Sequence, residues 1–329
     1  MPPRAFLHIE GIDVFDSEGT QTDATVLLGI GLKIAAVCIF VSMSTMLKAA
    51  EGIPAGQLVF FRSAFAIIPV LIMLVVRGEL RQGFSTKRPL GHVLRGTIGI
   101  TSMSLGFYGL TQLPLPESIA ISYATPLLIV VLSAILLKEQ VRLYRWAAVI
   151  VGLVGVLVIL WPRLSILSDG SQIGGQSIGA LAALAAAFFA AAAMLQVRNL
   201  VQTEMTATIV LYFFVTGSLL SLLSLPFGWV MPNGQQLALL IGAGLAGGVA
   251  QILVTQCYRY ADMSVIAPFD YTSMLLGLAV GYILFAEIPT VPMLAGALLV
   301  VGAGIFIILR EHQLGLKRRR ANAAATPQT

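Results

Sequence analysis

The chain has 329 residues, 57% of them hydrophobic and 11% charged, with a mean hydropathy of +0.91. That is more apolar surface than one water-soluble core of this length buries, so a lipid phase has to take the rest. A net charge of +5 would suit nucleic acid in a soluble protein, but no stretch between the apolar runs is long enough for a nucleic-acid-binding or catalytic domain.

Residues 1–25 set Glu10, Asp13, Asp16, Glu18 and Asp23 against Arg4 and contain no apolar core of a cleavable signal, so they read as a solvated tail. A hydrocarbon layer of ~30 Å needs about 20 apolar residues per helical span. Apolar windows place such spans near 26–47, 57–76, 91–110, 117–137, 144–160, 175–197, 205–229, 235–258, 263–285 and 292–309. Residues 311–329 form a second tail, basic and then low in complexity. The expected fold is an all-α integral membrane protein of ten transmembrane helices. With the N-terminus inside, fourteen Lys and Arg, from Arg77 to Arg320, fall on the cytoplasmic side, and only Lys48 and Arg163 fall outside. That bias predicts that both termini are cytoplasmic.

The fourth predicted span and its sequel reappear as the ninth and its sequel. At a spacing of 148 residues, Tyr123 meets Tyr271 and Glu139 meets Glu287, and Tyr108 is echoed by Tyr258 with a small gap. A unit of five spans has an odd number of crossings, so its second copy enters from the other side of the membrane. The chain therefore divides into two inverted five-helix repeats, 26–161 and 174–310, an arrangement that places a site near the midplane between the halves.

The stretch FYGLTQLPLPESIAISYATPLLIVVLSAILLKEQ, followed by a Gly-rich helix, resembles the EamA repeat of the drug/metabolite transporter superfamily. Pro126, Glu139 and GLVGVLVI carry the resemblance; the second copy departs from it, with Met274 in place of the usual proline and Pro268 earlier. The resemblance implies an alternating-access carrier whose central cavity is lined by helices 1 to 4 and 6 to 9, with helices 5 and 10 outside. GQLVFFRSAF and FDYTSMLLGLAVGYILFAE are similar to a bacterial branch that includes riboflavin-uptake carriers. The expected cargo is riboflavin or a related flavin; the alternative is export or exchange of amino acids or other amphiphilic metabolites, and a non-transporting receptor or scaffold is the distant one. A homodimer stays open.

Charged groups at membrane depth cost several kcal/mol and mark function by default. Lys33 and Asp270 share a depth about 10 Å from the cytoplasmic edge at ~1.5 Å per residue. They are expected to pair across the cavity, with protonation of Asp270 as a coupling step; the competing reading has Lys33 snorkelling to the interface. Arg62 lies nearer the outer side and suits an anionic or carbonyl-bearing substrate. Arg95, one turn into its span, reads as an interfacial anchor. Tyr123 and Tyr271 become pseudo-two-fold mates whose rings suit a planar, partly polar substrate, with Tyr108, Tyr258, Phe269 and Gln251 extending the lining. Pro126 and Pro268 are expected to break their helices and free carbonyls toward the cavity. Cys38, Cys257 and the three scattered histidines make no metal site, and no phosphate-binding loop for ATP is present. Neither a cofactor nor an enzymatic activity is expected.

Overall fold

The computed structural model describes residues 23–139, 141–164, 175–260 and 263–325. The predicted N-terminal tail lies almost wholly outside them, as does the side chain of Tyr258. Every regular element among the described residues is helical. The first half consists of α1 (Asp23–Ala49), α2 (Ala55–Val76), the one-turn α3 (Leu80–Gly83), α4 (Pro89–Gln112), a broken span made of α5 (Leu115–Ser122) and α6 (Ala124–Leu136), and α7 (Leu143–Leu164). The second half repeats this order. It runs α8 (Gly175–Leu200), α9 (Thr206–Ser221), α10 (Gly234–Tyr260), a broken span of α11 (Met263–Ile266), a 3-10 segment (Ala267–Tyr271) and α12 (Thr272–Phe285), and then α13 (Val291–Ala325).

Nine described spans are long and apolar enough to cross a bilayer, with α5 and α6 taken together. The tenth rod, α4, has 24 residues and so a length of about 36 Å. It carries His92, Arg95 and several hydroxyl side chains that lower its hydropathy. The last helix continues past the predicted edge at 309 as far as Ala325, because Leu, Lys, Arg and Ala are all good helix formers.

The two breaks have proline causes on opposite sides of matching tyrosines. Pro126 lacks an N–H for the Ser122 carbonyl and crowds it, so α5 stops and Tyr123 becomes the joint to α6. In the second copy Pro268 precedes Tyr271, the backbone tightens into the 3-10 segment, and Tyr271 caps α12. Further along, Lys138 and Ala286 both take φ of 52°, in the left-handed region, at a cost of about 1 kcal/mol or more for a non-glycine residue. Each is followed by a glutamate whose N–H reaches back to a helix carbonyl: Glu139 to Ser133 at 3.3 Å and Glu287 to Gly281 at 2.9 Å. The repeat is thus present in backbone geometry as well as in side chains.

Packing follows the same two-fold exchange. The contact of α4 with α8 is matched by that of α1 with α10, and α4 with α9 by α2 with α10, while α2 meets α9 and α7 meets α13 across the pseudo-axis. α7 and α13 turn Trp146, Ile150, Leu157, Leu294, Leu298 and Phe306 outward, an apolar surface suited to lipid. At their crossing a Cβ on Gly155 would lie 2.7 Å from the Gly296 carbonyl oxygen, a backbone atom that cannot step aside. Gly155→Val is expected to cost about 1–3 kcal/mol, read as a lower thermal midpoint of the purified protein; a wild-type midpoint would contradict this close approach.

Arg77, Lys138, Arg142 and Arg198 stand at the same end of the rods as the start of α1, here termed the basic face, and Lys48, Glu51 and Glu287 stand at the opposite face.

Candidate functional site

Between the halves lies a cavity of about 260 Å³, lined by α1, α4, the α5–α6 span and α8. Its polar groups are hydroxyls, Ser44, Ser102, Ser118, Ser122 and Thr125, set among alanines and Phe107. Ser102 donates to the Ala186 carbonyl at 2.8 Å and Ser122 to that of Ile119 at 2.6 Å. Their acceptor lone pairs remain for a guest.

Lys33 and Asp270 meet as the depth argument anticipates, Nζ to Oδ1 at 2.7 Å. The lysine side chain is 3% exposed and the aspartate 48%, so the cation is enclosed by protein while its partner stays open. The Asp270 carbonyl in turn accepts from the Tyr123 hydroxyl at 3.3 Å and from Ser273 at 2.6 Å. One residue on the 3-10 segment therefore ties α1, α12 and the α5–α6 joint together.

The tyrosines come together, but elsewhere than in the cavity lining. Their ring centroids are 5.0 Å apart at 63°, which places both near the pseudo-axis. Tyr123 is buried and bonded to Ser273, and the Tyr271 hydroxyl fills the space over Gly304 on α13. Tyr123 packs between the repeats, Tyr271 lines a separate cavity of about 370 Å³ with Pro268 and residues of α12 and α13, and Ser122, the counterpart of Asp270, faces the hydroxyl-lined cavity. Phe269 lies half-buried on the 3-10 segment. Tyr108 lines a separate cavity of about 470 Å³ at the opposite face, with Lys48 and Phe285. Gln251 lines one of about 250 Å³ that reaches the basic face between α2, α9 and α10. The proposed common lining is thus divided among separate places, because similar depth does not imply a similar angular position in the bundle.

At each face a glutamate joins the end of one repeat's fourth span to the end of the other repeat's first helix. At the opposite face Glu287 pairs with Lys48 at 2.7 Å and accepts from the Leu115 N–H at 2.8 Å, where α5 begins; Lys48 also donates to the Leu113 carbonyl and lies over the Phe285 ring. At the basic face Glu139 pairs with Arg198 at 2.8 Å. The first pair is 13% and 16% exposed, the second 59% and 37%. The two are related by the repeat and differ in burial, so the opposite-face pair is the more enclosed one. The echo of Glu139 in Glu287 signalled the acids in the sequence, but their partners were not apparent there.

Arg62 is buried on α2, its guanidinium 4.8 Å above the Phe214 ring. Arg95 departs from the anchor reading: its guanidinium lies 3.7 Å over Phe213, with Nε and Nη1 buried. Near the basic face Glu204 accepts from the Lys87 N–H at 2.9 Å and the Thr86 hydroxyl at 3.1 Å and stands 3.7 Å from His92. Desolvation works against its charge, but those hydrogen bonds together with His92 outweigh it and hold the carboxyl below its ordinary range.

The description of an EamA-like transporter family matches residues 27–161 and again residues 177–310. A riboflavin transporter of Vibrio cholerae is 29% identical over 270 residues, 82% of this chain and 87% of its own. An S-adenosylmethionine uptake transporter of Rickettsia prowazekii is 28% identical over 260 residues, 78% of this chain and 84% of its own. A pseudopaline exporter of Pseudomonas aeruginosa is 26% identical over 282 residues, 84% and 94% of the two chains. A crystal structure of another protein, 20% identical, aligns with 89% of this chain and 99% of its own at a TM-score of 0.61, a likeness of fold alone. With each five-helix half matched separately and almost end to end, the chain belongs to the EamA-like transporter family.

Proposed function

We propose that the protein is a secondary carrier that moves a small organic metabolite by alternating access, with riboflavin uptake across the bacterial inner membrane as its specific task. The observation that carries the mechanism is the pair of symmetry-related latches, one enclosed and one exposed, on either side of a hydroxyl-lined cavity. Loosening the Glu287 latch while the Glu139 latch tightens would expose that cavity to one face and then the other. Both termini, on this reading, are cytoplasmic, and the Lys33–Asp270 pair is the element a proton could uncouple.

The flavin assignment is supported by the riboflavin transporters of Vibrio cholerae and Rhizobium johnstonii among the relatives, each 29% identical, and by a cavity that offers hydroxyls and apolar surface and no fixed charge to an uncharged ring system. Other relatives are named for different cargo and for export, so the test compares substrates directly. Reconstituted vesicles are expected to take up labelled riboflavin saturably, with unlabelled riboflavin competing and S-adenosylmethionine and amino acids failing to compete. Riboflavin that neither enters nor competes would end the flavin assignment and leave the carrier mechanism to the other substrates.

A further inference from the structure

Among the described residues, the buried side-chain nitrogen and oxygen atoms without a hydrogen-bond partner all fall on three adjacent helices. They are Nε and Nη1 of Arg62 and Oγ of Ser63 on α2, both ring nitrogens of His92 and Nε and Nη1 of Arg95 on α4, and Oγ1 of Thr208 on α9. Arg62 is only 6% exposed, and no carboxylate among the described residues pairs with either arginine. A buried, unpaired guanidinium is among the costliest groups a fold can hold. Here Nε and Nη1 of both guanidiniums are buried without a partner, and the two groups rest on adjoining rings.

Their setting is specific. The guanidinium faces rest on neighbouring rings, Arg62 on Phe214 and Arg95 on Phe213, whose centroids are 5.5 Å apart. Ring contact satisfies a guanidinium face and leaves its N–H edges free. Glycine lies beside each group: a Cβ at Gly247 would come within 3.3 Å of Arg62 Nε, and one at Gly99 within 3.2 Å of Arg95 Nη1. The cavity at the basic face is lined by Gln251, one helical turn along α10 from Gly247, and also by Arg77, Glu79 and Glu204.

We propose that Arg62 and Arg95 form a binding site for an oxyanion, a carboxylate or a phosphate group, held between their two guanidinium edges. Planar donors of this kind match the paired oxygens of such groups, and a bound anion supplies the partner that both lack. This goes beyond the flavin assignment, since riboflavin itself carries no charge.

The test is the thermal midpoint of the purified full-length protein in nanodiscs of zwitterionic lipid, titrated with inorganic phosphate, acetate or riboflavin 5′-phosphate, against sodium chloride at matched ionic strength. A saturable rise is expected, with the half-saturating concentration increased about tenfold or more in Arg62→Gln and in Arg95→Gln and less in the lysine variants. Because each glutamine variant removes an uncompensated charge, its anion-free midpoint is expected at or above that of wild type, which separates loss of binding from loss of folding. Nanodiscs containing phosphatidylglycerol distinguish the source of the group: stabilisation by that lipid alone, lost in the glutamine variants, assigns the site to a headgroup phosphate. Anion effects no larger than those of chloride without lipid stabilisation, or effects undiminished in both glutamine variants, overturn the proposal. None of these readings depends on riboflavin uptake, so failure of the flavin assignment leaves the site standing.

Discussion

Asp270→Ala is expected to destabilise the protein by about 3 kcal/mol, the low end of the range for breaking a buried ion pair, and to abolish transport. The loss follows from what remains: Lys33, 3% exposed, keeps its charge without the carboxylate 2.7 Å away. The half-exposed aspartate places the effect at the low end of the range. Lys33→Ala with Asp270→Ala should recover much of the stability and none of the transport, since neither the enclosed cation nor the ion pair is left. Asp270→Asn separates the roles further: it keeps the shape, and transport should lose its response to a pH gradient. Wild-type uptake with an unchanged pH profile in Asp270→Asn would remove the pair from any coupling mechanism, and an unaltered thermal midpoint in Asp270→Ala would contradict the packing argument.

Glu287→Gln should shift the conformational balance by about 3 kcal/mol, roughly a hundredfold in population, toward a state open at the opposite face. The carboxylate joins Lys48 to the start of α5, and an amide keeps the size while losing the charge that holds both. A single cysteine at Ser118, introduced after Cys38 and Cys257 are replaced, should then react faster with a membrane-impermeant thiol reagent applied from that face. Glu139→Gln, at the exposed counterpart, should change labelling little, because an exposed pair contributes about 0–1 kcal/mol. Equal labelling rates in the wild type and Glu287→Gln would show that the opposite-face pair is not a latch.

The axial coordinate of this fold is legible in the sequence, and the angular coordinate is not. Rise per residue puts Lys33 and Asp270 at one depth, and they meet. The 148-residue echo locates both helix joints and both glutamates, because the repeat preserves backbone turns as well as side chains. Depth alone does not say which way a side chain points. Tyr123 and Tyr271, matched by symmetry, therefore meet near the pseudo-axis, and Tyr271, Tyr108 and Gln251 open onto different cavities. Arg95 was beyond local reasoning for the same cause: the ring that receives it is Phe213 on α9, in the other repeat. The partners of Glu139 and Glu287 likewise come from the repeat to which the acid does not belong.

The polarity of α4 has a consequence for how the chain is made. A segment carrying His92 and Arg95 in its first two turns and several hydroxyls beyond them partitions less well into lipid by itself than the nine apolar spans. The helices that enclose it most closely, α8 and α9, are synthesised only after the whole first repeat has emerged. The packing that surrounds α4 in the first half thus comes from sequence translated later, so the two repeats, similar as they are, complete each other as a single unit of assembly.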